Sequence, residues 1–166
     1  MGRSVGNTIP EAIRPLLEGK DLETHVGLTF LLLTTGEDGW PYQAMLSVGE
    51  VLADGERGLR LALWPGSTTT TNLTRTGRGT LTLVHGGVGY SLRCSARRGA
   101  DLRSDRSSGP LAFFEARVED VLEDVVSYAI LDSGVTFRLP NPDQVLPRWR
   151  DTVTALRERE TVSGES

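Results

Sequence analysis

Five hydroxyl side chains stand in a row at Ser67, Thr68, Thr69, Thr70 and Thr71, between an apolar run that ends at Trp64-Pro65-Gly66 and the pair Asn72-Leu73. Serine is a favoured N-cap, and the first N–H groups of a helix have no partner inside it. A helix that begins here presents backbone donors, with the Thr68, Thr69 and Thr70 hydroxyls beside them, to whatever lies before it. A phosphate is the group such a cradle suits best, because the helix terminus also carries partial positive charge. The same residues also read as an ordinary serine cap followed by a solvated threonine face. β-Branched threonines are poor in a helix interior and acceptable at its entry.

Other residue types that do chemistry are sparse. His25 and His85 are isolated, without the paired spacing of a metal site or an evident partner for triad chemistry. Cys94 is the only cysteine, so no intrachain disulfide and no thiolate cluster can form. Glu115, Glu119 and Asp120 fall on a strand as a solvated acidic face, and no two make an acid/base pair. Arg60, Arg75, Arg78 and the pair Arg97-Arg98 are surface charges unless a ligand recruits them.

Bulk properties narrow the classes further. With 166 residues the chain has the length of one domain, 1–166, and its 38% hydrophobic content supports a core. A net charge of −4 argues against a dedicated nucleic-acid binder, which needs a concentrated basic field. The longest apolar stretch, around Leu28 to Leu33, is too short to span a bilayer, and the N-terminus lacks a signal-peptide core. The expected location is cytoplasmic, with no membrane partner.

The elements that must position these groups are mostly strands. Asn7 or Thr8 as cap, Pro10 in the first turn, Ile9, Ile13, Leu16 and Leu17 as an apolar set and Gly19 as a stop predict a short N-terminal helix over about 8–19. The next run, from Leu28 to Trp64, is broken by Gly-Glu-Asp-Gly and Asp-Gly-Glu-Arg-Gly and reads as three strands. Leu59, Leu61 and Leu63 alternate with Arg60 and Ala62, which predicts one buried face and one open face. After the threonines come a strand, a Gly86-Gly87 turn, a second strand, a charged segment over 100–109 that is the best candidate for disorder, and a long strand from Leu111. Val145, Leu146, Trp149, Val153 and Leu156 at helical spacing predict a C-terminal helix over about 142–160, with Trp149 docking it and Pro147 setting its start. Closely spaced strands with a helix at each end predict a mainly β fold, a small barrel with α decoration.

From Leu28 to Leu139 the chain resembles the pyridoxamine 5'-phosphate oxidase-like superfamily of FMN-binding split β-barrels. The resemblance is carried by "LLLTTGEDGWPYQAMLSVGEV", similar to the family's strand, turn and second strand; by "LWPGSTTTTNLTRTGRGTLTLV", similar to its strand, S-x-x-x-x-N-L helix and following strand; and by "FFEARVEDV", similar to a later strand. It implies a split barrel over about 28–139 and a homodimer binding two FMN molecules at the subunit interface. It also implies cofactor contacts from Met45, Ser47, Trp64, Ser67, Thr68, Thr69, Thr70 and Asn72, with Trp64 flanking the flavin ring or packing at the barrel rim. The implied activity is that of an FMN-dependent oxidoreductase of unknown small-molecule substrate, with no catalytic residue identified. The alternative is a non-catalytic dimer, or one that holds haem, with His85 as axial ligand, or deazaflavin.

Three departures from the family pattern matter. Family members commonly carry Arg-Lys after the serine, positions that fall on Thr68 and Thr69 here. The second strand lacks the oxidases' arginine, reading Tyr42, Gln43, Ala44, Met45, and the C-terminus lacks their Arg-Leu-His segment. Loss of two cations weakens a phosphate site, since charge-assisted bonds are about twice as strong as neutral ones. Pyridoxamine phosphate is accordingly not the expected substrate.

Overall fold

The computed structural model describes residues 2–103 and 109–160. Eight strands form one antiparallel sheet: β1 (Arg3–Gly6), β2 (Phe30–Thr35), β3 (Pro41–Leu46), β4 (Val51–Asp54), β5 (Gly58–Leu63), β6 (Arg78–His85), β7 (Val88–Arg98) and β8 (Ala112–Asp124). Helix α1 (Thr68–Thr76) joins β5 to β6, and α2 (Pro142–Glu158) follows β8. The strand order is β3-β2-β6-β7-β8-β5-β4, with β1 pairing the far end of β8. The sheet curls into a split β-barrel with helical decoration, as expected for this mainly β chain.

The barrel interior follows from side-chain alternation. Phe30 and Leu32 of β2, Leu81 and Leu83 of β6, and Leu92 of β7 are buried, and register pairs Leu32 with Leu81 and Leu81 with Leu92. Between them Leu31 and Leu33 are only half-buried, and they pair across to Met45 and Gln43 on β3 and Thr82 and Thr80 on β6. That second set is the outer face of the sheet.

Several expectations are corrected. The run from Leu28 to Trp64 holds four strands, because a reverse turn closed by the Glu50 N–H bonding the Ser47 carbonyl breaks the middle one. The N-terminal helix over 8–19 is reduced to a single 3₁₀ turn, Arg14–Leu17. Pro15 has no N–H to offer an α-helical bond, and the Ile9 N–H is drawn across to the Glu56 carbonyl at 2.8 Å. Strand β1 lacked the apolar alternation that marks a strand, since all four of its residues are exposed. The barrel strands end at Asp124 rather than 139; 125–139 is irregular, tied back by one bridge between Leu28 and Thr136. Residues 104–108, the centre of the segment expected to be disordered, lie outside the described residues. The C-terminal helix spans 142–158, but Pro142 sets its start and Pro147 lies inside it, at the cost of the one hydrogen bond its absent N–H would have made.

The open face expected on β5 is also closed. Every residue from Leu59 to Leu63 is buried, with Arg60 8% and Ala62 1% exposed. Helix α2 packs over β4 and β5, burying Trp149, Val153 and Leu156, and takes the face that alternation left vacant.

Candidate functional site

The hydroxyl run begins α1, as its residue types predict. Ser67 has extended backbone (φ −77°, ψ 150°) and its Oγ accepts the Thr70 N–H at 3.1 Å. Gly77 closes the helix at φ 63°, a left-handed conformation open to glycine, with its N–H on the Leu73 carbonyl at 2.9 Å. Most of the hydroxyls are spent on the helix itself. Thr71, Thr74 and Thr76 donate to the carbonyls four residues earlier, at 3.3, 2.8 and 2.9 Å. Ser67 Oγ donates to Thr70 Oγ1 at 3.1 Å, and Thr70 Oγ1 donates in turn to the Trp64 carbonyl at 2.7 Å. A threonine run is thus tolerated in a helix because its side chains bond back to the turn before.

What is left over defines the cradle. The N–H groups of Thr68 and Thr69 sit at the first two helical positions and have no intrahelical acceptor. Neither hydroxyl is hydrogen-bonded among the described residues; Thr68 is exposed and Thr69 is buried. Two neutral N–H donors and the helix dipole fit a phosphate, and the first turn supplies no cation. Trp64, three residues before the cap, is 54% exposed, and Met45 on β3 is 62% exposed, both large apolar surfaces turned outward.

The remaining site candidates are held elsewhere. Asn72 is buried and its Nδ2 donates to Thr34 Oγ1 at 3.2 Å, pinning α1 to β2. Ser47 is buried in the turn between β3 and β4, where Glu50 accepts both its N–H (2.6 Å) and its hydroxyl (2.9 Å). The Ser-x-x-Glu spacing is the sequence signal for that pairing. None of the eight expected cofactor contacts lines any of four well-formed cavities of the described residues.

Burial pushes the Glu50 carboxyl above its ordinary 4.5, against the lowering effect of the Ser47 hydrogen bonds and of Arg148. An acid whose pKa is raised on folding binds more protons folded than unfolded, so its contribution is full below about pH 4.5 and is lost as pH rises through the folded value. Glu50→Gln is therefore expected to be more destabilising at pH 4 than at pH 7, by urea midpoints. A difference from wild type that is independent of pH would refute the assignment.

The arginines that a ligand could recruit are mostly committed. Arg60 is buried on the carbonyls at the end of α2, Arg75 donates to the Thr35 carbonyl at 2.6 Å, and Arg98 pairs with Asp101 at 3.1 Å. Arg97 is also engaged. Arg78 alone of this set has no side-chain partner among the described residues. No group of three or more His, Cys, Asp or Glu is placed to hold a metal among them. His85 ends β6 at the turn into β7, and His25 lies in the 3₁₀ turn Leu22–His25. No helix of the described residues is long and apolar enough to cross a membrane.

The fold is that of the pyridoxamine 5'-phosphate oxidase-like split barrels. It superposes on a candidate pyridoxamine 5'-phosphate oxidase from Lactobacillus delbrueckii with a TM-score of 0.55 and 16% identity, covering 73% of this chain and 98% of that one. An FMN-binding protein from Syntrophomonas wolfei gives a TM-score of 0.50 and 18% identity, covering 70% and 86%. The chain belongs to the family of the uncharacterised protein YclD of Bacillus subtilis, to which it is 36% identical over 156 residues, 91% of this chain and 97% of that protein. No protein-family model matches the chain.

Proposed function

We propose that the protein binds FMN, its phosphate on the N-terminus of α1, in a two-fold homodimer that serves as a flavin-dependent oxidoreductase. The observation that carries this reading is the pair of unsatisfied N–H groups at Thr68 and Thr69 beside the exposed Trp64. The fold shared with an FMN-binding protein supports it. Ser67 and Thr70 shape the turn, the Thr68 hydroxyl adds a neutral donor, and Trp64 and Met45 offer apolar surface to a ring system. When bound, the flavin supplies hydride chemistry, while the protein supplies the pocket and the orientation. A second copy completes the cleft: the expected contacts line none of four well-formed cavities of the described residues, and Met45 and Trp64 are apolar surfaces that a partner or a cofactor would cover.

The test is a charge series at Thr68, chosen because its side chain is exposed whereas Thr69 is buried. Thr68→Lys is expected to tighten FMN roughly three- to tenfold and Thr68→Glu to weaken it by a similar factor, both effects shrinking at high salt. FMN fluorescence titrations at two ionic strengths read this directly. Equal affinities for the three proteins would remove the phosphate from this turn, and light scattering that finds only a monomer would remove the interface.

A further inference from the structure

We propose that the cavity at the α1 end of the outer sheet face is a second ligand site, one that takes an organic anion: an apolar body with a single carboxylate or phosphate head. The cavity measures about 570 Å³ and lies where β2, β6 and β7 meet the first residue of β3. That volume is in the range of sites for small organic molecules, not for a bare ion. It shares no residue with the turn at Ser67, so it stands independently of the flavin reading.

Its wall and its mouth differ in chemistry. Leu33, Pro41 and Cys94 supply apolar surface, Thr80 a hydroxyl, and Arg78 and Arg93 the charge. Arg78 has no side-chain partner among the described residues, and Arg93 is 60% exposed with only a long 3.5 Å contact to Asp120. Glu119, the acid of the lining, is already occupied: it accepts the Ser95 hydroxyl at 2.6 Å and pairs with Arg57 at 3.5 Å. Burial and the Glu119 charge push the Cys94 thiol up to about 12, so at neutral pH it is an uncharged part of the wall. The uncompensated charge of the cavity is therefore that of Arg78, on a chain whose net charge is −4. A local cation over an apolar wall selects an amphipathic anion: the head pairs with a guanidinium and the body displaces water from Leu33 and Pro41.

Isothermal titration of octanoate, octyl phosphate and 1-octanol into the full-length protein tests this. Saturable binding of at least one of the two anions is expected, tighter than the alcohol, and the tighter of the two identifies the head group. Arg78→Gln should weaken it about tenfold, the loss expected for one charge-assisted bond. Thr80→Trp, which fills the cavity from a half-buried strand position that lines it, should abolish it. FMN titrations of the same variants should match wild type, which separates this site from the flavin reading whether or not FMN binds. Absence of saturable anion binding, octanol binding as tightly as the anions, an unchanged affinity in Arg78→Gln, or a parallel loss of FMN affinity would each overturn the proposal.

Discussion

Replacing Arg60 with methionine is expected to cost on the order of 3 kcal/mol of stability, a loss of several degrees in melting temperature for a chain of this size. Arg60 is 8% exposed and its guanidinium faces the end of α2, where the last carbonyls of a helix have no intrahelical donor. Its Nη1 donates to the carbonyls of Leu156 (2.8 Å), Arg157 (3.2 Å) and Arg159 (2.8 Å), and Nε donates to Asp54 at 2.9 Å. Methionine matches the apolar stem and leaves those carbonyls unpaired, buried at Leu156 and part-buried at Arg157 and Arg159, which is the expensive half of losing a hydrogen bond. Lysine is expected to recover only part of the loss, because one ammonium cannot reproduce the planar fork. Asp54→Asn separates the contributions: Asp54 is 49% exposed, so its loss should cost less than about 1 kcal/mol. Urea unfolding of the three variants reads the order, and equal losses for Asp54→Asn and Arg60→Met would assign the stabilisation to the ion pair instead of the helix carbonyls.

A second large effect is expected where the middle of α2 docks. A Cβ added at Gly49 would lie 2.3 Å from Trp149 Cγ and 2.6 Å from its Cβ and Cδ1, so no side chain fits there without moving the indole. Trp149 is 6% exposed and stands edge-on to Phe137, with ring centroids 6.2 Å apart. Gly49→Ala should cost about 1–3 kcal/mol by overpacking, and Trp149→Ala about 3–5 kcal/mol by emptying the site. In the Trp149→Ala background the ring contacts are gone and only the Cβ of residue 149, 2.6 Å away, still meets the alanine at 49, so its cost should fall without vanishing. The double-mutant cycle is then expected to show a coupling of about 0.5–2 kcal/mol. Additive losses would mean that the contact does not fix the helix on the turn between β3 and β4.

The two variants act on the same consequence of the topology. Arg60 and Gly49 belong to the barrel, Leu156 and Trp149 to a helix about a hundred residues later, and together they fasten α2 over β4 and β5. Helix α1, which follows β5 directly, packs instead on β2, β7 and β3.

Local signals in the sequence were enough for α1. Ser67 as cap, Gly77 as stop and the alternating leucines on either side fix a helix between two strands by hydrogen bonding and sterics within ten residues. Alternation of Leu59, Leu61 and Leu63 marked β5 in the same way, and β-compatible runs between closely spaced turns defined a mainly β barrel. Local signals also mislead where two of them conflict: Pro10 favours a helix start, Pro15 forbids its continuation, and the result is one 3₁₀ turn. Thr70 is consumed by the Trp64 carbonyl within its own turn, whereas the burial of Thr69 by packing against the barrel is set only by the tertiary structure. The tertiary structure also decided that Arg60 is a helix anchor rather than a ligand, while Arg78, identical in type and equally prominent in sequence, faces a cavity. Alternation specifies which residues share a face of a strand. What covers that face is set by the burial of an apolar helix from elsewhere in the chain, and no pattern within β5 encodes it.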